Sequence, residues 1–155
     1  MNEIYVRRSI EIDASPSRVW EVLTKPEFTE QWADAFGATG PIDSSWTLGG
    51  KVSWKNAKGE VYVDGIVTAV VPDELLRFTV CDRLNPDLQP PSGLTEDEIT
   101  QSYSLVADGK RTILSTAHGD FCKLTNGARL YPLVEQLWAR LLPKIKELVE
   151  RANAV

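Results

Sequence analysis

The chain has 155 residues, of which 43% are hydrophobic, with a formal net charge of −5 and a pI of about 4.9. That length predicts one domain, residues 1–155, large enough to bury a sizeable core. The acidic balance argues against nucleic acid or an anionic membrane surface as partner, since both select for basic faces. No apolar run approaches the ~20 residues needed to span a bilayer. Residues 1–8 also lack the apolar stretch and small-residue cleavage site of a secretory signal, so the expected location is cytoplasmic. Cys81 and Cys122 form no CxxC pair, and two reduced thiols are the expectation there.

Along the chain, residues 4–12 alternate, with Ile4, Val6, Ile10 and Ile12 on one face, and read as a half-buried strand. Arg8 interrupts that face and marks its rim. Ser15 is placed to cap a short helix with Pro16 at its first position. Pro26 opens a second short helix, 27–32, ending at Trp32. Residues 37–50 are rich in glycine and read as loop. Val52 and Trp54 share one side of the next strand, and Asn56-Ala57-Lys58-Gly59 makes a turn. Residues 60–71 read as a long strand, apolar in places on both faces, so its inner side stays open; Gly65 within it predicts a bulge or bend. Residues 75–81 form the next strand.

Residues 83–97 hold Pro86, Pro90, Pro91 and Gly93 and show no period. A loop of that length in a compact domain is usually functional or mobile. Strands 99–106 and 111–117 follow, joined at Asp108-Gly109, a two-residue hairpin signal. A final helix over 128–153 carries Leu130, Val134, Leu137, Leu141, Ile145 and Leu148 on one stripe, with Trp138 toward its edge. Pro143 predicts a kink in that helix.

A long helix can bury its stripe only against something wide, and the only wide object is the sheet that these strands form. The expected fold is therefore α+β: an antiparallel sheet of six or seven strands wrapped around the C-terminal helix, with two short helices closing one end. The ordered series Ala14-Ser15-Pro16, Val19-Trp20, Leu23-Thr24, Trp32, Gly49-Gly50, Gly65 with Val67, and Pro72 to Phe78 carries a resemblance. Thr112-Ile113-Leu114 and His118-Gly119-Asp120-Phe121 complete it. In these the chain resembles the START-related helix-grip superfamily, SRPBCC, and within it the family named for the activator of the heat-shock chaperone's ATPase. The resemblance implies the helix-grip fold. It does not choose among the superfamily's carriers, aromatase/cyclases and chaperone activators. The chaperone activators use a separate N-terminal domain for which 155 residues leave no room.

Three functional readings stay open. The favoured one is non-enzymatic binding of a small hydrophobic or aromatic molecule between sheet and helix, with 83–97 as a lid. The expected lining is Trp32, Trp54, Tyr103, His118, Phe121, Leu133 and Leu137, with Tyr62, Asp64 and Arg8 as further polar groups near a pocket. The second is a cyclase- or dehydratase-type enzyme moving protons through His118, Tyr103 or Asp64, which requires two of these to meet across one cavity. The third is a protein-interaction or chaperone-regulating module, acting as a homodimer or with a protein partner. No nucleotide loop, nucleophile elbow or metal-ligand spacing is present, so neither metal nor cofactor is expected and no residue is assigned as catalytic.

Overall fold

In the computed structural model, residues 3–36 and 38–153 are described. Strand β1 (Tyr5–Ile12) leads through helices α1 (Pro16–Thr24) and α2 (Pro26–Trp32) to the short β2 (Asp43–Ser44) and then β3 (Lys51–Lys55). Strands β4 (Val61–Val71), β5 (Leu75–Asp82), β6 (Ile99–Asp108) and β7 (Arg111–Gly119) precede helix α3 (Gly127–Asn153). The seven strands form one antiparallel sheet in the order β1-β7-β6-β5-β4-β3-β2. This is the α+β helix-grip arrangement that the sequence predicts. Strand β2 lies in a segment read as loop, because two residues carry too little alternation to register as a strand.

Local chemistry sets the helix ends. Ser15 accepts a hydrogen bond from the Arg18 amide, with Pro16 as the first helical residue of α1. The Trp32 indole donates to the Val22 carbonyl at 2.8 Å and so ties α2 onto α1. The Trp46 indole ties the following loop to the Thr24 carbonyl at 2.9 Å. The β6–β7 hairpin is longer than its sequence signal: Asp108 pairs with Arg111, and Gly109, at φ +63°, opens the turn.

Alternation along each strand sends one set of side chains toward α3. On β4 this set includes Val63 and Val67, both buried, whereas Asp64 turns outward. The register does not slip at Gly65, which serves close approach between β4 and β5. A Cβ there would stand 1.7 Å from the Thr79 carbonyl oxygen, and the Thr79 hydroxyl accepts from the Ile66 amide instead. The bulges fall elsewhere on β4, where the register slips between Val61 and Val63 against β3 and between Val67 and Ala69 against β5. Each adds one residue and local twist to the strand.

The buried stripe of α3 is Trp138, Leu141, Leu142, Ile145, Leu148 and Val149. Leu137, expected in this stripe, is only half-buried, and the neighbouring Trp138 is fully covered in its place. The step from Val134 to either residue fits a helical turn, and the larger indole takes the inward position. The helix continues through Pro132 and Pro143 as one element. The helix packs with β1 and α1, and its first half overlies a cavity.

Candidate functional site

A cavity of about 160 Å³ lies between the inner sheet face and the first half of α3. Its walls come from nearly every element. Trp32 ends α2, and Ala33 and Phe36 belong to the 3₁₀ turn after it. Trp54 comes from β3, Ile99, Gln101 and Tyr103 from β6, His118 from β7, Phe121 from the turn after β7, and Val134 and Trp138 from α3. Tyr62 is the extra residue of the first β4 bulge. That bulge re-aims it onto the cavity wall, where its hydroxyl donates to the Phe36 carbonyl at 2.6 Å.

Of the residues expected from sequence, the structure places Trp32, Trp54, Tyr103, His118 and Phe121 around this one space. Leu133 does not join them: it is 64% exposed, and Leu137 also lies off the wall. Both were placed by proximity to the presumed stripe, and the rotation of α3 that buries Trp138 carries them away. Arg8 sits apart at the rim, paired with Glu135 of α3 at 3.4 Å. Asp64 lies on the opposite face of the sheet, where the Arg83 guanidinium donates to it at 2.6 Å.

The wall is an aromatic belt. Trp138 meets Phe36 and Tyr103 edge-on, with centroids 5.5 and 6.1 Å apart, and Phe36 also touches Trp54. The Trp138 indole N–H donates to His118 Nδ1 at 3.2 Å. A ring nitrogen that accepts carries no proton, so the neutral imidazole holds its hydrogen on Nε2. Burial pulls the His118 pKa down from 6.5 to about 4, and burial pushes the Tyr103 hydroxyl well above the ordinary tyrosine value. Both groups are therefore neutral over the physiological range.

Two polar atoms of wall residues are buried with no hydrogen-bond partner, His118 Nε2 and Gln101 Oε1, whereas the Trp54 indole N–H is directed at the Tyr62 hydroxyl. Unpaired buried polar atoms are rare, and each needs a reason. Gln101 is a wall residue beyond those expected from sequence, and its pattern marks it. It is a polar side chain at an inward position of β6, between Ile99 and Tyr103, and is 3% exposed.

Residues 83–97 are more structured than their composition predicts, with 3₁₀ turns at Pro86–Leu88 and Thr95–Asp97. Leu88 reaches the cavity wall and Pro90 is buried. Arg83 anchors the base of the segment through Asp64 and through Glu98, which is only 5% exposed and lies 3.1 Å away. Cys81 is buried, Cys122 is exposed, and no disulfide joins them. Among the described residues no cluster of histidine, cysteine or carboxylate side chains could hold a metal ion, and no helix is long and apolar enough to cross a membrane.

A seven-stranded antiparallel sheet gripping a C-terminal helix, with two short helices after the first strand, is the α+β helix-grip fold. Residues 13–150 match the model of the family described as Activator of Hsp90 ATPase homolog 1-like protein, and the chain belongs to that family. Solved structures repeat the fold. Protein MLL2253 from Mesorhizobium loti superposes with a TM-score of 0.74 at 22% identity, over 96% of this chain and 98% of that one. ChR145 from Cytophaga hutchinsonii gives 0.74 at 22% identity over the full length of both chains. The Aha1 dimer from Colwellia psychrerythraea gives 0.71 at 18% identity, over 95% of this chain and 96% of its own. A comparison with curated proteins finds no match.

Proposed function

We propose that this protein is a non-enzymatic binder of a small apolar or aromatic molecule held between the sheet and α3. The observation that carries the reading is the cavity of about 160 Å³ walled by Trp32, Phe36, Trp54, Tyr103, Phe121 and Trp138. Flat, rigid side chains around a space with few polar groups are the usual surroundings of a small-molecule ligand. The segment 83–97, with Leu88 on the wall, acts as the cover. The test is native mass spectrometry of freshly purified protein against the same sample denatured. A retained mass that is lost on denaturation supports the reading. No retained mass, together with no binding of any aromatic probe at millimolar concentration, removes it.

The family match and the Aha1-named neighbour favour a second reading, regulation of a chaperone through a protein interface. Its test is the ATPase rate of an Hsp90-type chaperone with and without the protein. A rate that stays constant up to a large molar excess eliminates it.

A further inference from the structure

The cavity is small, carries no cation on its wall and holds two unpaired polar atoms, and those three properties narrow the ligand. Its volume of about 160 Å³ is close to the ~150 Å³ of an engineered apolar cavity that takes up benzene. That is room for about one ring between the sheet and α3. Among its wall residues the only charged side chain is Asp82, so a carboxylate or phosphate would meet no cation there. At the His118 end of the cavity the unpaired group is an N–H donor, which repels an ammonium, and Asp82 is the one wall group that attracts one.

What remains is a neutral group that accepts and donates at once. His118 and Gln101 are direct cross-strand partners on β7 and β6, both turned inward. Side chains in that relation start about 5 Å apart. One brings an unpaired N–H and the other an unpaired carbonyl oxygen. The amide orientation of Gln101 is fixed, because its nitrogen donates to the Ser102 carbonyl at 3.1 Å. The His118 tautomer is fixed in turn by Trp138. The geometry points to a single-ring aromatic alcohol of the phenol class as ligand, its hydroxyl accepting from His118 Nε2–H and donating to Gln101 Oε1. This rests on the container reading above and assigns that container its polar subsite.

Phenol and toluene have nearly the same shape, and they separate the two claims. An apolar cavity prefers toluene, because a hydroxyl gives up its hydrogen bonds to water on entry. A cavity with both partners in place reverses the order. Titration of each probe into the full chain, followed by the indole N–H resonances in a nitrogen–proton correlation spectrum, gives both dissociation constants. The expected result is roughly tenfold tighter binding of phenol, about one net hydrogen bond's worth. Anisole, which accepts but cannot donate, should fall behind phenol. In Gln101→Leu the phenol-to-toluene ratio should invert, with the dispersed spectrum reporting that the variant is folded. Toluene binding as tightly as phenol in the unaltered protein overturns the hydroxyl subsite and leaves the container standing. Binding of neither probe overturns both.

Discussion

His118 is the one histidine of the chain, and its burial makes stability depend on pH in a window of its own. Its folded pKa is about 4 against 6.5 when unperturbed. Between these values the unfolded chain binds a proton that the folded protein refuses. Stability is therefore complete above pH 6.5 and falls as the pH drops toward 4. The full difference is worth about 3 kcal/mol, of which about 2 kcal/mol is lost between pH 7 and pH 5. The cause is local, because the ring is buried and Nδ1 already accepts from Trp138, so a second ring proton has no acceptor and breaks that bond. The carboxylates with shifted values, Asp120 and Glu150, are both lowered and act mostly below pH 5. Urea denaturation at pH 7 and pH 5 measures the loss, and His118→Gln should lose about 2 kcal/mol less between the two than the unaltered protein. The ring resonances of His118 provide a check that needs no variant: they should stay fixed from pH 7.5 to pH 5. A midpoint above pH 6, or equal losses in both proteins, would refute the assignment of a buried, neutral imidazole.

Leu141→Ala should cost on the order of 2–5 kcal/mol by chemical denaturation, since Leu141 is 1% exposed. Leu137→Ala should cost less than about 1 kcal/mol, and equal losses at the two positions would contradict the helix rotation. Gly65→Ala should destabilise by about 1–3 kcal/mol, because the new methyl must displace the Thr79 backbone; a neutral melting temperature would mean that β4 and β5 lie further apart. Burial pushes the Cys81 thiol up to about 11. Iodoacetamide at pH 8 followed by mass spectrometry should leave Cys81 unmodified in the folded protein and label it only in denaturant.

The architecture was legible because it rests on period and punctuation. Val6 and Ile12, Val52 and Trp54, and the alternating residues of β6 and β7 each show one apolar face, and Ser15-Pro16 marks a helix start by its own hydrogen bonding. The rotation of α3 was not legible. Leu137 and Trp138 are adjacent, about 100° apart around the helix, and hydrophobicity alone ranks both as inward. Only the width of the gap to Phe36, Tyr103 and His118 selects the indole. Leu133 failed for the same reason. The inner face of β4 was hidden by its two bulges, which break the alternation at Tyr62 and Thr68. Gln101 carries no titratable group and belongs to no motif, so only its inward position between Ile99 and Tyr103 marks it.

That last point bears on what the cavity can do. The enzymatic reading requires two proton-handling groups across one space, and His118 and Tyr103 do share the wall. Their environment moves them apart in the wrong directions. Burial depresses the histidine and raises the tyrosine, so His118 is a poor base and Tyr103 a poor acid at neutral pH. General acid–base catalysis works best with pKa values near the working pH. Asp64, the one carboxylate proposed for the role, is on the far face with Arg83. Histidine Nδ1, the nitrogen otherwise able to take a proton, is occupied by the Trp138 indole. The same features suit recognition of a neutral molecule, since a donor and an acceptor held in fixed orientation retain their roles across the pH range in which the protein is folded. Burial that disables the imidazole as a base is what makes it a dependable N–H donor.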